Sequence, residues 1–158
     1  MYLQIRQRAF SWTDHYDVFD ENGNPCYEVW TEFLALGHQI HVRDKGTGRE
    51  VGSIHEKFLA LLPRFEIVVN GQHQGTVRKE FTFFLPRYQV DYRGWRVEGD
   101  LGGWDYRVVQ GSRTVMTISK GFFTWTDTYR LCFDDPTDEI PGLLLVLAID
   151  ATNCDKNK

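Results

Sequence analysis

The sequence predicts an all-β domain with one helix: a twelve-stranded closed antiparallel β-barrel around a central hydrophobic C-terminal α-helix. Three observations predict it. Apolar and polar residues alternate at period two from residue 3 to 133. A unit of hairpin length recurs along the same stretch. After Phe133 the alternation gives way to a run that is apolar on every face. The 158 residues suit one domain, read here as residues 1–158. Aromatic residues (5 Trp, 7 Tyr and 11 Phe, 15% of the chain) favour pleated, half-buried surfaces over disorder or a helical bundle.

The recurrence is specific. Phe58-Leu-Ala-Leu-Leu-Pro-Arg-Phe-Glu-Ile67 and Phe81-Thr-Phe-Phe-Leu-Pro-Arg-Tyr-Gln-Val90 match at an offset of 23, and Phe33 to Val42 shares their outline 25 residues upstream. Phe10 to Val18 and Phe123 to Leu131 share Phe, Trp-Thr-Asp and Tyr at identical spacing. Each unit reads as an aromatic strand end, a connection and a new strand. Between units stand Asp20-Glu-Asn-Gly-Asn-Pro25, Asp44-Lys-Gly-Thr-Gly48, Asn70-Gly71 and Gln110-Gly-Ser112, with Gly or Asn where a hairpin needs positive φ. Twelve strands follow, near 3–11, 14–20, 25–33, 38–43, 49–58, 65–70, 75–84, 88–92, 95–100, 104–110, 113–122 and 127–133. Short connections impose an antiparallel meander, and a meander of this size closes or leaves adhesive edges.

The helix is expected over about 138–151, capped by Thr137 or Asp138, with Glu139 and Pro141 in its first turn. Leu143, Leu144, Leu145, Val146, Leu147 and Ile149 leave it no polar face. The apolar run is too short for a membrane span, which needs about 20 residues, so protein must surround it. Twelve strands about 4.8 Å apart and tilted about 40° close at a diameter of about 24 Å. That leaves roughly the 10–12 Å that a helix occupies.

Composition and motifs narrow function. The net charge of −4 argues against a nucleic-acid partner. Three cysteines without a CxxC pair (Cys26, Cys132, Cys154) fit a reducing cytoplasm, and the alternating N-terminus does not resemble a signal peptide. No nucleophile elbow, phosphate loop or HExxH motif appears, so no catalytic residue and no cofactor is assigned. No metal site is assigned either. Asp20 to Asn24 reads as a turn, and Asp134 to Glu139 as a charged connection at a helix N-terminus. His38 and His41 face opposite sides of a strand.

Phe10 to Val18, Asp20 to Pro25, Lys79-Glu-Phe-Thr-Phe-Phe84, Val97-Glu-Gly-Asp100, Trp104-Asp-Tyr106, Ile118-Ser-Lys120 and Leu145-Val-Leu-Ala-Ile-Asp150 resemble the bacterial branch of the LURP-one-related family. The resemblance spans essentially the whole chain. It implies a tubby C-terminal-like barrel around a hydrophobic helix, with phospholipid scramblases as distant relatives. Scramblases carry an acidic, calcium-linked stretch before the helix. Here Asp127 stands, but Trp125 takes the partner acid's place, so calcium dependence is not carried over.

The reading for function is a non-enzymatic cytoplasmic binding or interaction domain, partnered by an unknown protein. The alternative, which the distant tubby resemblance suggests, is a peripheral binder of anionic phospholipid or phosphoinositide headgroups. Its cations would be Lys57, Arg64, Lys79, Arg87 and Lys120, which recur beside aromatic strand ends.

Overall fold

The computed structural model describes residues 1–7, 15–57, 62, 64–80, 83, 87–101, 103–121 and 127–154. They form β1 (Tyr2–Gln7), β2 (Tyr16–Phe19), β3 (Pro25–Leu34), β4 (Gly37–Asp44), β5 (Glu50–Glu56), β6 (Arg64–Val69), β7 (Gln72–Glu80), β8 (Arg87–Tyr92), β9 (Arg96–Asp100), β10 (Asp105–Gln110), β11 (Arg113–Gly121), β12 (Asp127–Phe133) and α1 (Glu139–Cys154). The ends of several expected strands, including residues 8–11, 81–82 and 84, lie outside the described residues, as do Phe10, Trp12, Phe58, Phe123 and Trp125.

All twelve strands make one antiparallel sheet, ordered β8-β7-β6-β5-β4-β3-β2-β1-β12-β11-β10-β9. Each strand from β1 to β8 and from β9 to β12 pairs with its neighbour in sequence. β1 meets β12 in register from Tyr2↔Cys132 to Gln7↔Asp127. The expected full closure needs one correction: β8 and β9, consecutive in the chain, stand at the two ends of the sheet, so the barrel is nearly closed and carries a seam. Arg93 and Gly94 (φ 56° and 67°) make a turn suited to a hairpin. The Trp95 N–H donates to the Tyr92 carbonyl at 2.9 Å. Tyr92 and Trp95 then turn into the core, edge to face at 5.5 Å between ring centroids.

Strand alternation fills the lumen. Ile5, Val18, Val42, Ile54, Ile67, Val77 and Leu131, each from a different strand, are fully buried. They surround α1, whose Leu143, Leu144, Leu145, Val146, Leu147 and Ile149 are at most 2% exposed. The helix starts from a tethered turn. Asp135 caps a short 3-10 turn (Pro136–Asp138) ahead of α1 by accepting from the Thr137 N–H. Asp138 accepts from Arg113 at 2.8 Å, and Glu139 accepts from the Tyr27 hydroxyl at 2.6 Å. α1 also runs past the expected end at residue 151, because the wall around its last turn still offers polar partners to Asn153.

The meander gives the barrel two unlike ends. At the near end, where α1 starts, the connections are polar and tight: Asp20 to Asn24, Asp44 to Arg49, Asn70-Gly71, Arg93-Gly94 and Gly111-Ser112. Asp20 shows the turn chemistry expected of it, its Oδ1 accepting from the Asn22 and Asn24 N–H groups at 2.9 and 2.8 Å. At the far end, where α1 finishes, lie the ends of β3, β5, β7, β9 and β11 and the starts of the strands that follow them.

Several acids that are weak in water are held protonated inside this wall. Burial, with Glu139 nearby, pushes the Cys26 thiol up to about 11. Burial pushes the Tyr92 hydroxyl up to about 12 and raises Tyr27 and Tyr106 as well. In the unfolded chain these groups titrate near 9.0 and 10.0. Above pH 9 the unfolded state therefore loses protons first, and stability falls as pH rises. Thermal melts followed by circular dichroism are expected to show a midpoint that falls steadily from about pH 9 to pH 12. A midpoint unchanged through pH 11 would contradict the buried placement of these groups.

Candidate functional site

The far end gathers most of the expected cations, and strand parity decides where each one points. In β6 to β8, Phe65, Val77 and Val90 pair across the sheet on the inner face. Arg64, Arg78 and Gln89, one residue along, pair on the outer face, and Glu80 pairs with Arg87 there too. Arg64, Arg78 and Arg87 are exposed. Lys57, just past β5, joins them: its N–H donates to the Arg64 carbonyl at 2.8 Å, and its Nζ lies 3.1 Å from Glu66 Oε2.

This wall carries more positive charge than it neutralises. Glu66 is engaged by Lys57, and Glu80 lies 3.6 Å from Arg78. Among the described residues, Arg64 and Arg87 have no ion-pair partner within 4 Å. Arg64 and Arg78 stand directly opposite one another across two strands. Like charges so placed are unfavourable by about 0.2–1 kcal/mol. The Arg78 guanidinium donates to Gln89 Oε1 at 2.8 Å, and an anion seated on this face would offset the like-charge repulsion and accept charge-assisted hydrogen bonds.

Two of the five expected cations sit elsewhere. Lys79 has inward parity, is 2% exposed, and holds its ammonium 5.5 Å from the centroid of the Tyr88 ring. It belongs to the lumen and not to the surface expected of it. Lys120 reaches the far end on β11, which is separated from β8 by the seam, β9 and β10. Arg78, which sequence reading missed, takes their place on the wall. The signal was available: Val77 faces the core, so Arg78 must face out and Lys79 in.

Beside the wall the seam opens as a cleft of about 450 Å³, lined by Arg87, Tyr88, Val90, Trp95, Val97 and Leu101 among others. α1 bridges its far margin: Asn153 Oδ1 accepts from the Tyr88 hydroxyl, and its Nδ2 donates to the Leu101 carbonyl at 3.4 Å. Burial raises the Tyr88 phenol. At neutral pH the cleft thus offers the Arg87 guanidinium and a protonated phenol that donates to Asn153. Arg96, at the near end of the cleft, is committed to Glu98 at 2.9 Å, and Glu98 is also held by Arg107. A second cleft of about 310 Å³ lies at the near end, against Tyr92, Arg93, Ile140, Pro141 and Leu144.

His38 and His41 follow their parity. His38 packs edge to face on Phe33 at 4.8 Å, with Nδ1 2.7 Å from Glu56 Oε2. His41 lies on the other face, stacked on Trp30 and paired with Glu50 at 3.1 Å. The two do not converge on one point.

The twelve antiparallel strands thus form a nearly closed barrel filled along its axis by a hydrophobic helix, with cations gathered on one wall of the far rim. The chain belongs to the LURP-one-related family, whose model matches residues 1–150. It is 30% identical over 148 residues to the uncharacterized protein YxjI of Bacillus subtilis (strain 168), covering 94% of this chain and 91% of that one. Its fold is similar to the X-ray structure of the Arabidopsis thaliana protein AT5G01750, with a TM-score of 0.62, 17% identity, and coverage of 95% of this chain and 91% of that one.

Proposed function

We propose that this domain is a non-enzymatic binding module of the cytoplasm that takes an anionic, phosphorylated headgroup on the wall formed by Lys57, Arg64, Arg78 and Arg87. The observation that carries the reading is Arg64 opposite Arg78, a like-charge pair held on one outer face with Arg87 two residues along the neighbouring strand. Phosphate oxygens suit paired guanidiniums, which donate in a fixed fork. Lumen packing supports a surface site, because α1 occupies the axis where a barrel of this size would otherwise hold a ligand. Lys120 and Lys79 take no direct part.

Co-sedimentation with phosphatidylcholine vesicles doped with a phosphoinositide tests this. Binding is expected to weaken as salt rises. Arg64→Glu with Arg78→Glu is expected to lower the bound fraction at least tenfold. Lys120→Glu is expected to change binding less than twofold. Wild-type protein that ignores both these vesicles and soluble inositol hexakisphosphate at low salt would remove the reading.

A further inference from the structure

The far rim carries a second feature that headgroup binding does not use. The large apolar side chains exposed among the described residues are Met1 at the near end, and Phe33 (52%), Leu34 (48%), Leu36 (80%) and Phe83 (103%) at the far end. Phe33, Leu34 and Leu36 form the tip of the β3–β4 hairpin, and Phe83 lies between β7 and β8. Strand order sets the sequence of features around the rim: the apolar β3–β4 tip, then Lys57 and Arg64 flanking the β5–β6 connection, then Phe83 between Arg78 and Arg87. Exposed apolar groups thus alternate with cations along one arc.

The near end shows that this is not a general property of the chain's connections. Its turns are built from Asp, Glu, Asn, Gly, Lys, Thr, Arg and Ser, with no large apolar side chain among them. Aqueous solubility favours that chemistry at every connection, and the far end departs from it in the hairpin where it is easiest to satisfy. A two-residue connection such as Ala35-Leu36 needs no leucine at its most exposed point. Clusters of exposed apolar side chains mark interaction surfaces. The flanking cations select the occupant: an anionic bilayer attracts Lys and Arg to its surface and receives apolar side chains just beneath its headgroups.

We infer that the far rim is a membrane-docking face, on which Leu36, with Phe33 and Leu34 behind it and Phe83 beside it, enters the acyl boundary while Arg64, Arg78 and Arg87 hold phosphates. The inference rests on the headgroup reading and adds insertion to it. It also fixes an orientation, with the barrel axis and α1 pointing into the membrane surface and the polar turns facing away. α1 itself stays inside the barrel and does not cross; no helix among the described residues is long and apolar enough to span a bilayer.

The test uses the full chain and vesicles of phosphatidylcholine, phosphatidylserine and a phosphoinositide. Leu36→Trp places a fluorophore at an 80% exposed position where the fold tolerates change. Relative to wild type, its added emission is expected to shift to the blue on vesicles and to be quenched by phosphatidylcholine brominated near the top of its acyl chains. Leu36→Asp is expected to lower vesicle affinity at least tenfold, yet leave inositol hexakisphosphate affinity within twofold. Vesicle binding with no blue shift and no quenching would overturn insertion and leave the headgroup reading standing. So would binding of inositol hexakisphosphate without binding of vesicles. Failure to bind either would remove both. Sedimentation without lipid closes the remaining route: a dimer that Leu36→Asp converts to monomer, with no vesicle quenching, would assign the tip to a second copy of the chain and overturn the proposal.

Discussion

A chain ending at Glu139 is expected to lose the fold altogether. Leu143, Leu144, Leu145, Val146, Leu147 and Ile149 are each at most 2% exposed, and every one of them is supplied by α1. At about 2 kcal/mol per buried side chain they contribute about 12 kcal/mol, an upper bound that still matches the 5–15 kcal/mol holding an ordinary domain together. Removal also leaves the inward residues of every strand facing an empty lumen. A barrel this wide cannot collapse onto itself without breaking its ladder. Circular dichroism and urea titration are expected to show an aggregated chain with no cooperative transition. A soluble monomer with native β signal and a sharp melt would show that the helix is an accessory.

The second large effect concerns how closely that helix is seated. Gly52 lies on β5 where an added Cβ would stand 2.6 Å from Leu144 Cδ1 and 2.9 Å from Cδ2. Gly52→Ala is therefore expected to destabilise by about 1–3 kcal/mol through overpacking. Leu144→Ala, at a fully buried position, is expected to cost about 2–5 kcal/mol through the cavity it leaves. Combined, the substitutions complement each other, since the new methyl enters space the leucine vacates. The double variant is expected to be more stable than the sum of the singles by about 0.5–3 kcal/mol in urea denaturation. Strict additivity would mean that Leu144 does not face Gly52, and that α1 sits in another register.

Much of the architecture was legible in the chain because two periodicities meet at Phe133. Alternation such as Phe65, Ile67 and Val69 identifies strands one by one, and Asn70-Gly71 between β6 and β7 marks a reversal that needs positive φ at both positions. The run from Leu143 to Ile149, apolar on all sides, leaves no place for the helix but inside. The seam was not legible. Arg93-Gly94 is a sound hairpin turn, so local chemistry argues for pairing of β8 with β9. The gap shows only in the strand order and in the reach of Asn153 to Tyr88 and Leu101 on its two sides, contacts between elements far apart in sequence.

The candidate site was legible in part. Lys57, Arg64 and Arg87 flank repeated aromatic segments, and the meander necessarily carries them to one end. Reading cations by their distance from an aromatic residue placed Lys79 on the surface, although that residue shares the parity of Val77 and so faces the lumen. The same oversight hid Arg78. Lys120 shows the other limit: position along a strand gives the end of the barrel, while only strand order gives the side. The exposed Leu36 tip was visible as sequence but carried no meaning until strand order set it beside the cations.

With α1 on the barrel axis, the lumen is filled and the rim is the surface left for binding. Native-state amide hydrogen exchange resolved by residue tests that most directly. Amides of residues 143–149 are expected to exchange only through global unfolding, with the same free energy as the most protected amides of β5 and β6 and the same denaturant dependence. Exchange of the helix through a separate, low-energy opening while β5 and β6 stay protected would place it on the outside of the sheet, and the account would fail.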